Sequence, residues 1–156
     1  MRLSAAYQIL QVRELPHAAE VMGLLREKNI SVVLNTGYNL ITAQTLLHKL
    51  DWRAGIHFDL LITASDVVRA RPFPDMIQLA MEKLQIHEPS AVIKVGDSSI
   101  DIEEGKNAGC FLNIGITTGA HTRTQLQTSN PDYIIDDLRQ LIHIVDNFNQ
   151  ESFTLA

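Results

Sequence analysis

The sequence predicts an α/β fold, a Rossmann-like doubly wound parallel sheet, on two observations. Apolar runs too short for helices recur along the chain, and amphipathic helical patterns stand between them. Strand and helix alternating in this way form right-handed βα units, with helices on both faces of the sheet. No internal repeat and no Gly/Ser/Pro-rich linker interrupts the pattern, so residues 1–156 read as one domain.

Pro16 opens the first helical pattern, which carries Ala18, Val21, Met22 and Leu25 on one face until Asn29 stops it. Ser31 to Leu34 is the first short apolar run and reads as a buried strand. Asn39 is the N-cap expected for a second helix, with Ile41, Leu46, Leu47 and Leu50 turned inward and Trp52 packing at its end. Leu60 to Thr63 is the second strand. Pro74 starts a third helix, with Asp75 in its first turn where a negative charge suits the helix dipole, and Ile77, Met81 and Leu84 buried. Ala91 to Val95 is the third strand, followed by a helix opening near Ser99. Phe111 to Ile114 and Tyr133 to Ile135 complete the strands, and a last helix from Leu138 to about Phe148 groups Leu141, Ile142 and Val145.

Composition narrows the function. The 156 residues are 46% hydrophobic, enough apolar surface to offset the entropy of ordering one domain. Thirteen Lys and Arg against eighteen Asp and Glu give a net charge of −5, and no two basic residues are adjacent. A nucleic-acid groove needs a cationic stripe, so nucleic acid is not an expected partner. Cys110 is the single cysteine, which excludes an internal disulfide and a cysteine-built zinc site and makes a reducing cytoplasm the simplest compartment. No segment approaches the apolar length of a membrane span, and residues 1–4 do not lead into a signal peptide's apolar core.

In open α/β sheets a ligand sits beyond the carboxyl ends of the strands, so the residues that follow each strand carry the chemistry. After the first come Asn35, Thr36, Gly37 and Tyr38, a hydroxyl and a glycine that can offer an oxygen and close-approach amides to a phosphate; the alternative is a tight turn. After the second, Arg71 precedes Pro72 in a stiff loop from which a guanidinium can be aimed at an anion, with Arg69 as its rival and a solvated arginine as the alternative to both. The third strand leads into Gly96, Asp97, Ser98, Ser99, Ile100 and Asp101. Asp97 and Asp101 fall about one turn apart, and two hard carboxylates with room for water suit Mg²⁺ better than zinc. The alternative is a capped acidic helix start. Gly115 to His121, after the fourth strand, lines the same mouth or forms a plain turn. Cys110 reads as a small core residue.

Taken in order, Thr36–Gly37, Arg71–Pro72 and Gly96–Asp97 to Asp101 resemble the second, third and fourth motifs of the haloacid dehalogenase-like superfamily of phosphohydrolases. The wider text resembles its phosphonatase-like branch: Asn35 to Tyr38, Arg71 to Ile77, Gly96 to Ser98 and Gly105 to Cys110. The resemblance implies that Thr36 and the Gly37 amide bind the transferring phosphoryl group, that Arg71 neutralises it, and that Asp97 ligates Mg²⁺ directly. Asp101 would hold the metal through water or orient its ligands. The implied substrate is a small phosphorylated metabolite.

One part of the family pattern is absent from these residues. Its members begin with a strand ending in Asp-x-Asp, whose first carboxylate attacks phosphorus, whereas here no Asp precedes Asp51. The family's cap is absent too, except that Ala5 to Val12, within residues 1–14, resemble the return from cap to core. The expectation is therefore an N-terminally truncated core, inactive alone, with Met1 as an internal start, or else a non-catalytic phosphate- and metal-binding module or half of a split protein. The missing strand belongs at the centre of the sheet, where its loss would leave its neighbours about 9–10 Å apart. Three repairs suggest themselves: the flanking strands close up, Gln8 to Val12 fills the gap, or a homodimer partner or complementing chain supplies the strand. Phosphonate cleavage in this branch uses a cap lysine as a Schiff base, and none of Lys28, Lys49, Lys83, Lys94 or Lys106 matches it, so phosphate-ester hydrolysis is the better-supported chemistry.

Overall fold

The computed structural model of the chain describes residues 5–8 and 15–155. Its elements in order are β1 (Ala5–Gln8), α1 (Ala18–Glu27), β2 (Ser31–Thr36), α2 (Leu40–Leu50), β3 (Leu60–Thr63), α3 (Asp75–Lys83), β4 (Val92–Gly96), α4 (Ser99–Ala108), β5 (Leu112–Ile116), α5 (Arg123–Gln127), β6 (Tyr133–Ile135) and α6 (Gln140–Leu155). The strands form one sheet in the order β3-β2-β1-β4-β5-β6, and every neighbouring pair is parallel.

Alternation along β2 shows how the two faces are built. Val32 and Leu34 join Val21, Met22 and Leu25 of α1 and Leu141 and Val145 of α6 in one cluster, while Val33 turns to Met76, Ile77 and Ala80 of α3 in the other. Met22, Leu25 and Ile77 are fully buried, each worth roughly 1.5–3 kcal/mol relative to exposure. The predicted doubly wound parallel sheet is the observed one. The start of α2 follows its cap: the Asn39 side chain accepts from the Thr42 N–H at 2.8 Å, as expected.

The expected central gap is filled. Residues Ala5–Gln8 pair with Ser31 to Leu34 of β2 on one side and Val92 to Val95 of β4 on the other. The filling strand therefore begins earlier than the expected Gln8 to Val12, and residues 9–14 lie outside the described residues. Ile41, expected inward, is 77% exposed, because Ala43 and Leu47 take the buried face of α2. The first and third helices begin one to two residues after their prolines, and α5, with the Thr122 hydroxyl accepting from the Gln125 N–H at 3.3 Å, was not anticipated. No helix among the described residues is long and apolar enough to cross a membrane.

Candidate active site

Order reverses between β1 and β4: β2 and β3 lie to one side, β4 to β6 to the other. The crevice past the carboxyl ends at such a reversal is where α/β sheets place ligands. Thr36 closes β2, the Arg71 loop follows β3, Asp97 follows β4, and residues 117–121 follow β5.

Thr36 is buried, and its Oγ1 accepts from the Tyr38 N–H at 3.1 Å, which leaves the hydroxyl proton for an external acceptor. Gly37 leaves room for the arginine: a Cβ there would stand 2.5 Å from Arg71 Nη2, so bare backbone lets the guanidinium lie against this loop in its observed place. Arg71 then donates from Nη1 to Asp101 Oδ1 at 2.6 Å. Its rival is committed elsewhere, since Arg69 makes a bidentate contact with Asp75 at 3.2 and 3.1 Å and lies over the Phe73 ring. Asn107 Nδ2 donates to the Pro72 carbonyl at 2.8 Å and ties the Arg71 loop to α4.

Asp101 is fully buried and fully engaged. Its second oxygen accepts from the Ser98 N–H at 3.2 Å and the Ser98 hydroxyl at 3.0 Å, which is the capping contact that opens α4. A Cβ on Gly96 would fall 2.2 Å from Asp101 Cβ, so the close approach of α4 to the end of β4 also depends on a glycine. Capping, which the sequence posed as the alternative to a metal role, is present at Asp101, together with the ion pair to Arg71.

Asp97 is different. Its Oδ2 accepts from the Ala120 N–H at 3.1 Å, and its Oδ1 is buried with no hydrogen-bond partner. Burial, with the adjacent Asp101 carboxylate, holds its pKa above the usual carboxylate range, against the pull of the Ala120 N–H and Arg71. The loop after β5 belongs to the mouth: His121 N–H donates to the Asp97 carbonyl at 3.0 Å, His121 Nδ1 accepts from the Ser99 N–H at 3.1 Å, and a Cβ on Gly119 would fall 2.2 Å from Asp97 Oδ2.

Among the described residues no group of three or more His, Cys, Asp or Glu is arranged to hold a metal. At this mouth Asp97 presents a carboxylate oxygen, Oδ1, with no hydrogen-bond partner among the described residues. That donor set still fits Mg²⁺, which commonly takes one or two protein carboxylates and completes its shell with water and substrate phosphate. Asp101 has both oxygens occupied, one by Arg71 and the other by Ser98. Cys110 is buried, and burial pushes its thiol up to about 12, so it is inert as the sequence suggested.

Sequence reading missed one charged group beneath these residues. Lys94 on β4 and Glu104 on α4 pair at 2.9 Å with neither side chain exposed. The signal was there: a lysine inside an apolar strand run must find a partner when buried.

Comparison with known proteins bears on the family and the fold. Residues 3–109 match the model of the haloacid dehalogenase-like hydrolases. The chain is 37% identical over 101 residues to the phosphonoacetaldehyde hydrolase of Latilactobacillus sakei subsp. sakei (strain 23K), covering 65% of this chain and 37% of that protein. It is 34% identical over 140 residues to the phosphoglycolate phosphatase of Escherichia coli (strain K12), covering 88% of this chain and 54% of the relative. A phosphonoacetaldehyde hydrolase-like protein from Oleispira antarctica superposes with a TM-score of 0.77 at 26% identity, over 87% of this chain and 57% of that one. The chain thus spans about half the length of such relatives or less. With the ordered strand-end residues, the parallel sheet and the family match in agreement, the chain belongs to the haloacid dehalogenase-like hydrolases.

Proposed function

We propose that these residues form the phosphoryl- and cation-binding half of a Mg²⁺-dependent phosphohydrolase site for a small phosphorylated metabolite, with the attacking carboxylate contributed by residues outside the 156. The observation that carries this reading is Arg71, held against Gly37 by the buried Asp101 at 2.6 Å, beside the Thr36 hydroxyl and the unpartnered Asp97 Oδ1. Thr36 and the Gly37 N–H would bind phosphoryl oxygens, and Arg71 would cancel their charge. Asp97 would hold the cation and Asp101 would keep Arg71 aimed. Mg²⁺, when bound, supplies charge neutralisation at the phosphoryl oxygens. Phosphoryl transfer rests on such positioning and neutralisation more than on acid or base strength.

In the complete reaction a carboxylate attacks phosphorus, the ester oxygen departs, and water then hydrolyses the aspartyl-phosphate. No Asp precedes Asp51 here, and β1 carries Ala, Ala, Tyr and Gln. The nucleophile would arrive on a longer form of this chain or on a complementing chain whose strand takes the place of Ala5–Gln8. Phosphate esters are the favoured substrates over phosphonates: Lys94 is sealed in its pair with Glu104, and Lys28 pairs with Asp146 on a different face, so neither offers a Schiff-base amine at the mouth. The cytoplasm suits the free, buried thiol of Cys110. A second reading, a phosphate- and cation-binding module without turnover, draws on the same missing carboxylate.

Turnover of p-nitrophenyl phosphate and phosphoglycolate by the 156-residue chain, with and without Mg²⁺ and beside Asp97→Asn, tests the assignment. No turnover is expected from the chain alone. Turnover that needs both Mg²⁺ and Asp97 would show that a nucleophile lies within these residues after all.

A further inference from the structure

The charges beneath the mouth take no part in the proposed chemistry. Glu104 uses both carboxylate oxygens: Oε1 pairs with Lys94 Nζ at 2.9 Å, and Oε2 accepts from Asn35 Nδ2 at 3.1 Å. All three side chains are fully buried. Asn35 is on β2, Lys94 is on β4, and β1 runs between those strands. From α4, Glu104 therefore holds both neighbours of the central strand at once. Asn35 is followed directly by Thr36, Lys94 stands three residues before Asp97, and Glu104 lies one turn after Asp101.

Stability does not require such an arrangement. A buried ion pair can often be replaced by well-packed apolar residues of similar volume with no loss, so its presence calls for another explanation. Geometry supplies one. Lys94 stands opposite Tyr7 of β1, and Asn35 directly follows Leu34, which stands opposite Gln8. Glu104 therefore bridges the two flanking strands across β1, close to the ends that carry Thr36 and Asp97.

We propose that Glu104 is a positioning residue which, through Asn35 and Lys94, fixes the spacing between the strand ends that carry Thr36 and Asp97. The inference rests on the phosphoryl-site reading above. It assigns to the buried network the task of keeping the phosphate and cation positions in register, as binding groups must be held to within fractions of an ångström by their supports.

The test compares the intact chain with Lys94→Met/Glu104→Met, which removes the bridge, and Lys94→Gln/Glu104→Gln, which keeps a neutral hydrogen-bonding one. Binding of inorganic phosphate in the presence of Mg²⁺ is followed by calorimetry, amide hydrogen exchange by NMR and folding by thermal melts. The methionine pair should still fold, melting somewhat lower because Asn35 Nδ2 loses its acceptor, and should bind phosphate about tenfold more weakly or worse, the scale of one lost charge-assisted hydrogen bond. Its Thr36 and Asp97 amides should exchange faster together, and the glutamine pair should recover most of both. If the methionine pair folds, binds and exchanges like the original chain, the network is structural only and the proposal falls. If the original chain itself binds no phosphate, the phosphoryl-site reading falls, and the exchange rates at Thr36 and Asp97 decide the bridge by themselves. Should the methionine pair not fold, Asn35→Leu cuts only the link to β2; unchanged exchange at Thr36 in that variant would overturn the proposal.

Discussion

Replacing Arg71 by Met measures how firmly the site's cation is built into the fold. Asp101 is fully buried, whereas the Arg71 side chain is 21% exposed, and the two meet at 2.6 Å. Removing one partner of a fully buried pair typically costs about 3–5 kcal/mol, because the other charge is left uncompensated. Here two effects reduce that cost: Asp101 still accepts two hydrogen bonds from Ser98, and the partial exposure of Arg71 lets water screen the pair. We therefore expect Arg71→Met to cost about 2–3 kcal/mol. Asp101→Asn should cost about 1–2 kcal/mol, because the amide oxygen still accepts while the partly exposed guanidinium recovers some hydration. In the double variant the losses should fall short of their sum by about 1–2 kcal/mol, the coupling expected of side chains in direct contact. Urea unfolding followed through Trp52, the single tryptophan and a buried one, gives all four stabilities. Strict additivity, or an Arg71→Met cost below about 0.5 kcal/mol, would refute the view that Asp101 anchors the cation.

Three further substitutions probe the strand ends and the helix α4 that packs against them. Gly37→Ala sets a methyl group 2.5 Å from Arg71 Nη2; because the obstructing atom ends a flexible side chain, stability should change by less than about 1 kcal/mol while phosphate affinity in calorimetry falls. Gly105→Ala is more severe, since its Cβ would lie 1.8 Å from Asn113 Oδ1 and 2.8 Å from Lys94 Cβ, and urea unfolding should show a loss of about 1–3 kcal/mol or more. Asp97→Asn should raise the melting temperature of the metal-free protein at neutral pH. The folded pKa of Asp97 lies above its unfolded value, so the stability linked to it is complete below the unfolded pKa and is lost as pH rises through the folded one. The amide escapes that loss, and melts of the two proteins should converge as the pH is lowered toward the ordinary carboxylate range.

How much of this was legible in the sequence follows from what each residue needs in order to be recognised. Leu60–Thr63 and Tyr133–Ile135 emerged with their observed bounds because an apolar run between turn residues is a local signal. Thr36, Arg71 and Asp97 were legible because parallel sheets put chemistry just past their strands. Position alone left Arg69 as a rival to Arg71, and the family resemblance chose Arg71; the physical reason lies in the fold, in the Asp75 carboxylate that captures Arg69 and the bare backbone of Gly37 beside Arg71. The strand Ala5–Gln8 carries no apolar run and is defined by the two strands that flank it. Ile41 lies six residues before Leu47, about 120° away around the helix, and so falls outside the stripe that tertiary packing covers. The loop at Gly119–His121 reads as an ordinary turn until the fold sets Asp97 against it.

Phosphate binding is the most direct test of the central claim that Thr36, Arg71 and Asp97 form one phosphoryl- and cation-binding site. Calorimetric titration of the 156-residue chain with inorganic phosphate, with and without Mg²⁺, should show binding that strengthens when Mg²⁺ is present, and Asp97→Asn should erase that gain. No binding by the original chain, or binding that neither Mg²⁺ nor Asp97→Asn alters, would contradict the account.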